Sequence, residues 1–241
     1  MTAVKIGVLL PATFNLNADA ANADVLVRRF TLSGYDAEVV PLDDPAEFSN
    51  EELDALIIGS PSSSVLADPA LPRAEIATLV QRLRAARVPI LAISNGFHLL
   101  GTMTGRDGAP LEGLGIIPVH TTFGTKQHVT IGALVDTGSD RLIGVENHNA
   151  RVEFTDTAEQ FAGVIRGTGN GTGGPDGFEA GSLTGTHLHG PLFALNPELA
   201  DSWCRFILSR RGETFTRGAA LDELDRLAHA AAAHLERQAT S

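Results

Sequence analysis

The chain has a single cysteine, Cys204, in 241 residues. That excludes a disulfide framework within the chain and argues against a zinc site built on thiolates. Positive charge is also scarce: 18 Lys and Arg stand against 29 Asp and Glu, a net charge of −11. Nucleic-acid binding needs clustered cations to neutralise phosphates, and a face resting on anionic lipid needs them too, so neither is expected. The acidic excess instead favours solubility. No apolar run approaches the roughly 20 residues that span a bilayer. The opening MTAVKIGVLLPATF has no small-residue cleavage site and leads straight into a strand pattern. It is read as part of the fold rather than a signal peptide, and the cytoplasm is the expected location. No internal repeat is present. No His/Asp/Glu spacing suggests a metal, and no cofactor is expected. The glycines of 167–177 (GTGNGTGGPDG) neither follow a strand nor open a helix, so they read as a flexible hairpin or loop, not a phosphate cradle.

What is present is an apolar fraction of 43%, enough to fill the core of one domain spanning 1–241. Residues 4–10 (VKIGVLL), ending at Pro11, read as a buried parallel strand. Asn22 is placed to cap a helix running to Gly34. Further strands are expected at 37–42, 53–58 and 88–93. Between the last two, Pro72 opens a helix with Ile76, Leu79, Val80 and Leu83 on one face. Strand followed by helix, repeated with short connections, predicts an α/β fold with a doubly wound, mostly parallel sheet flanked by helices. Residues 115–190 are richer in short β segments, which predicts antiparallel strands added at the sheet's edge. Helices are expected at 197–210 and 219–237. The last has leucines and alanines at helical spacing, and it packs on this domain or on a partner.

The chemistry concentrates in LAISNGFHLLG, residues 91–101. A buried strand ends at Ile93 and a helix begins just after, so Ser94 occupies the sharp strand-to-helix turn of a nucleophile elbow. The free N–H groups of the first helical turn stand beside it and could stabilise an oxyanion. A serine before a helix is also a common N-cap, and a second feature is needed to decide between the two. That feature is GTHLHGPL, residues 185–192. A histidine ending a neighbouring strand can serve an elbow nucleophile as base. His187 and His189 alternate along the chain, so they face opposite ways.

At these residues the chain resembles the class I glutamine amidotransferases, in the cobyric acid synthase branch. It is most similar there to the glutaminase subunits of lipid II isoglutaminyl synthases. The resemblance rests on 9–22 (LLPATFNLNADAAN) with Asp19 and Asn22, on the elbow, on 143–149 (IGVENHN), on Gly169-Asn170 with Asp176-Gly-Phe-Glu179, and on 186–200 (THLHGPLFALNPELA). It implies a flavodoxin-like fold with Ser94 as the nucleophile position and His189 as the catalytic histidine. Gly59, Ser60 and Asn95 would form the oxyanion hole. Pro191 stands where many such enzymes carry a glutamate two residues after the histidine, and this branch works with a nucleophile–His pair. Three departures stand out. The family nucleophile is Cys. The oxyanion loop is replaced by Gly59-Ser60-Pro61-Ser62-Ser63-Ser64. The arginine that holds the glutamine carboxylate has no counterpart, and only Lys126, Gln127 and His128 lie near its place. A lysine supplies charge but no bidentate fork.

The resemblance implies a subunit that hydrolyses glutamine for an ATP-dependent, Mur-ligase-like partner in a heterodimer. That partner would amidate D-glutamate of the lipid II stem peptide. With no third group visible to orient His189, Ser94 is expected to be an impaired nucleophile, through engineering or by nature. Two other readings stand beside this one: a non-catalytic subunit that binds a ligase, and a serine hydrolase using Ser94 and His189. Lys126, His128, Glu146, Asn147 and His148 are the candidate substrate contacts, although Glu146 and His148 could equally brace a turn. His98 reads as packing or surface, the serine run 62–64 as plain loop, Asp19 and Asn22 as caps, and Cys204 as inert packing.

Overall fold

The computed structural model describes residues 2–156, 159–171 and 174–238. In its first half, strands β1 (Val4–Leu9), β2 (Ala37–Leu42), β3 (Ala55–Ile58) and β4 (Ile90–Ile93) alternate with helices α1 (Ala21–Leu32), α2 (Ser63–Leu66) and α3 (Arg73–Ala85). Helix α4 (Asn95–Leu100) follows β4. Next come β5 (Thr102–Thr104), β6 (Pro110–Leu111), β7 (Val119–Asp136), β8 (Arg141–Phe154), β9 (Ala162–Arg166), β10 (Pro175–Asp176), β11 (Phe178–Ala180) and β12 (Leu183–Thr186). Helices α5 (Leu192–Leu195), α6 (Pro197–Arg210) and α7 (Leu221–Gln238) close the chain.

Among the described residues, one sheet has the strand order β11-β12-β4-β3-β1-β2. Its pairs are parallel except β11 with β12. Successive side chains on a strand point to opposite faces. Ala55 and Ile57, with Leu91 and Ile93, therefore pack on α1 and α6 through Leu26, Phe30, Cys204 and Ile207. Leu56, Ile58, Ile90 and Ala92 pack the other way, on α3 and α4 through Ile76, Leu79, Leu83 and Phe97. Helices on both faces explain why these strands read as continuous apolar runs.

The antiparallel strands differ from expectation. Only β11 joins the edge of the parallel sheet; β5 to β10 form a second sheet built on the long β7, which pairs with β8 over most of its length. At 18 residues, β7 is long enough to pair with β5, β8 and β9.

Helix α7 packs on this domain. Its backbone passes Gly132 of β7, where a Cβ would sit 2.6 Å from the Leu235 carbonyl oxygen. Near its start, Asp225 accepts from Arg29 Nη1 at 2.7 Å, and the same guanidinium holds Asp201 of α6 at 2.6 Å. One buried arginine thereby ties α1, α6 and α7 together. Among the described residues no helix is long and apolar enough to cross a membrane.

The glycine-rich stretch 167–177 is organised where it is described; residues 172 and 173 lie outside the described residues. The Gly177 N–H donates to Asn170 Oδ1 at 2.9 Å, and Asn170 Nδ2 donates back to the Gly177 carbonyl at 3.1 Å.

Candidate active site

Ser94 links β4 to α4 with φ 49° and ψ −115°. A positive φ is uncommon for a residue bearing a Cβ and marks a backbone held in place by its surroundings. Here its N–H donates to the Thr186 carbonyl at 2.8 Å, and its own carbonyl accepts from the His98 N–H at 2.9 Å. Gly96 makes the turn sterically possible: a Cβ there would lie 2.4 Å from the Gly59 carbonyl oxygen and 2.8 Å from that of Ile58. The Ser94 side chain makes no capping hydrogen bond to α4. The N-cap reading of Ser94 is therefore set aside, and its hydroxyl has no structural duty in the helix.

Strand β12 runs parallel to β4 with Thr186 opposite Ile93. Residues 187–189 thus leave the sheet at the same carboxyl edge as the elbow. The two histidines find different partners, as their alternation requires. His189 is pinned by a backbone pair with Val145 of β8, its N–H donating at 2.8 Å and its carbonyl accepting at 3.0 Å. Its Nδ1 lies 2.8 Å from Asp19 Oδ1. Both side chains are buried.

Asp19 is the orienting group that sequence reasoning did not find. It lies 170 residues from His189, and no spacing connects them. The cap readings of Asp19 and Asn22 are corrected here, because α1 begins without a side-chain cap. Asn22 instead accepts from the Phe193 N–H at 2.9 Å and donates to the Asp19 carbonyl at 2.9 Å. Burial raises the Asp19 carboxyl above its ordinary value, opposed by its contacts with His189 and the Ser60 N–H. With Asp19 on Nδ1, His189 presents Nε2 as its free nitrogen. Asn17 Nδ2 stands 3.5 Å from both ring nitrogens, so it lies against the imidazole without singling out Nε2. Asn17 in turn accepts from Asn147 at 3.3 Å, and Asn147 accepts from Gln127 at 2.8 Å. A line of amides thus runs from the imidazole to the surface.

The expected oxyanion donors separate. The Ser60 N–H donates to Asp19 Oδ2 at 2.9 Å; it is committed, so Ser60 is removed from the donor set. Gly59 and Asn95 remain, held together because Asn95 Nδ2 donates to the Pro61 carbonyl at 2.9 Å.

The candidate substrate contacts separate too. Glu146 is buried, and both its oxygens accept backbone N–H groups, from Thr168 at 2.8 Å and from Gly169 at 2.7 Å. It braces the glycine loop and has no free face for a substrate. His148 is also buried: its Nδ1 accepts from the Ala150 N–H at 3.3 Å and its ring lies 4.2 Å from that of His187. Burial, then the charge of His187, lowers its imidazole to about 2. It belongs to the core. Lys126 and Asn147 are exposed and His128 is half-buried, so these three lie where a ligand has access. Cys204 is buried, and burial pushes its thiol up to about 12. Thiolate chemistry there is suppressed. Among the described residues no group of three or more His, Cys, Asp or Glu side chains is arranged to hold a metal.

Comparison with known proteins places the chain in a family. The CobB/CobQ-like glutamine amidotransferase domain matches residues 5–197. Subunit GatD of the lipid II isoglutaminyl synthase (glutamine-hydrolyzing) of Staphylococcus aureus is 28% identical over 207 residues, covering 83% of each chain. The cobyric acid synthase of Desulfitobacterium hafniense is 30% identical over 143 residues, which span 53% of this chain but only 26% of that enzyme. Among solved structures, PurLQS from Thermotoga maritima shares the fold, with a TM-score of 0.55 at 17% identity over 87% of this chain and 97% of the other. The chain belongs to the CobB/CobQ-like glutamine amidotransferase family.

Proposed function

We propose that the chain is the glutaminase-type subunit of a two-protein amidotransferase. The reading is carried by one observation: a buried Asp19–His189 pair at 2.8 Å at the same sheet edge as the elbow serine, whose side chain makes no capping hydrogen bond to the helix. Ser94 Oγ attacks the side-chain amide carbon of glutamine while His189 Nε2 takes its proton. Asp19 fixes the tautomer and stabilises the imidazolium that forms. The N–H groups of Asn95 and Gly59 face the developing oxyanion. His189 returns the proton to the leaving nitrogen and ammonia departs. Water, deprotonated by the same imidazole, then hydrolyses the acyl-serine to glutamate. Lys126 and His128 meet the substrate's carboxylate at the mouth.

The ammonia passes to a cytoplasmic Mur-ligase-like partner that uses ATP to amidate D-glutamate of the lipid II stem peptide. The likeness to a subunit of that synthase supports this choice of acceptor. The test is glutamate release with the partner present, from the chain as it stands, from Ser94→Cys and from His189→Ala. Release by either of the first two and none by the third is expected. Silence in all three ends the proposal and leaves a non-catalytic, ligase-binding subunit.

A second reading is favoured by the same pair. Serine, histidine and aspartate in these roles also suit a serine hydrolase acting on an ester or peptide. A fluorophosphonate probe separates them: labelling of Ser94 without glutamate release would favour the hydrolase.

A further inference from the structure

A second file of buried polar groups lies behind the elbow, and the proposed mechanism does not use it. Asp176 Oδ1 is 2.8 Å from His187 Nδ1, and His187 Nε2 is 2.9 Å from His98 Nε2. His98 Nδ1 is 3.1 Å from Asn95 Oδ1, and Asn95 Nδ2 is 2.9 Å from the Pro61 carbonyl oxygen. Asp176, His187 and His98 are fully buried. The file starts at a strand of the second sheet, crosses the end of β12, enters α4 and finishes on the loop that follows β3.

Hydrogen-bond accounting fixes the protons along it. The Pro61 carbonyl can only accept, so the Asn95 amide nitrogen must face it. Asn95 Oδ1 then faces His98 and can only accept, so His98 carries its proton on Nδ1. Burial, the largest cause, lowers His98 well below its ordinary value and leaves it neutral, so its Nε2 is a bare acceptor. His187 must therefore donate from Nε2. Asp176 faces His187 Nδ1 and also accepts from the Thr186 hydroxyl at 2.6 Å and the His187 N–H at 3.3 Å. From the Pro61 carbonyl to His187 Nε2 only one donor pattern is compatible, and a buried network whose members are all hydrogen-bonded rigidifies what it joins.

We propose that Asp176, His187 and His98 are positioning residues that lock the Asn95 side chain onto the Pro61 carbonyl and so set the spacing of the oxyanion donors at Asn95 and Gly59. None of the three touches the reacting atoms. The role rests on the glutaminase reading, whereas the protonation pattern stands independently of it. A displacement of about 1 Å at such donors can cost on the order of a hundredfold in rate, so the file has enough leverage to matter.

Two measurements test this. Long-range 1H–15N spectra of the full-length chain, assigned with His98→Asn and His187→Asn, are expected to show the His98 proton on Nδ1 and a proton on His187 Nε2. A His98 proton on Nε2 overturns the file. In the Ser94→Cys chain with its partner and glutamine, His98→Leu is expected to lower kcat at least tenfold with KM within threefold. His98→Asn, whose amide nitrogen replaces Nδ1, is expected to stay within threefold of its parent. Equal losses in both variants, or a loss carried by KM, overturn the positioning role. A parent that releases no glutamate overturns the proposed function and this role with it, while the spectra still decide the protonation pattern.

Discussion

Lowering the pH from 7.5 to 5.5 is expected to destabilise the fold through His98 and His148. Both are buried, and both are neutral in the folded protein: His148 is lowered to about 2 and His98 well below its ordinary value, in each case chiefly by burial. In the unfolded chain each titrates near 6.5. The unfolded state therefore binds protons that the native state refuses, and stability falls as the pH drops through about 6.5 toward the folded values. Integrated between those two pH values, one such histidine costs about 1.4 kcal/mol, and the two together about 2.7 kcal/mol. Asp19 has the opposite sign, because its raised carboxyl makes the folded protein the better proton acceptor as the pH falls toward 3.8. A comparison between variants cancels that contribution. Urea titrations of the parent and of His148→Leu at both pH values isolate one share: the drop in stability should be smaller in the variant by about 1.4 kcal/mol. Equal drops in the two proteins would refute the claim that His148 is buried neutral.

Asp19→Asn should lower kcat of whichever form releases glutamate by at least about a hundredfold, with little change in KM, because an amide at Nδ1 permits the wrong imidazole tautomer; a steady-state assay measures it. Gly96→Ala should destabilise the protein by about 1–3 kcal/mol in urea, since its Cβ meets backbone oxygens at 2.4 and 2.8 Å. Arg29→Leu should cost about 1.5–3 kcal/mol, because Asp201 and Asp225 lose their buried partner and keep only Arg217, which also reaches both carboxylates. An unchanged urea midpoint would contradict that account.

Much of this architecture was legible because local pattern and tertiary role coincide. Strands 55–58 and 90–93 are apolar on both faces, which a doubly covered sheet accommodates, and α3 shows its buried stripe at Ile76, Leu79, Val80 and Leu83. The elbow was readable from one strand end and one glycine. The second sheet was not, because its existence depends on which strands β7 pairs with, and alternation alone does not report that. Asp19 escaped for a similar reason. A carboxylate in the loop before a helix has a cheap local explanation, and only the folded chain brings it to His189. Glu146 and His148 gave a polar signature that could brace or bind, and burial, invisible in sequence, decided for bracing.

The main chain at Ser94 has a wider consequence. Its turn is secured by the Thr186 carbonyl, by the His98 N–H and by the absence of a side chain at Gly96. Nothing in that scaffold grips the atom borne on the Ser94 Cβ. The backbone contacts that hold the turn are therefore the same whether that atom is oxygen or sulfur. Chemical reactivity at this corner is set by one atom, and the architecture beneath is set by others.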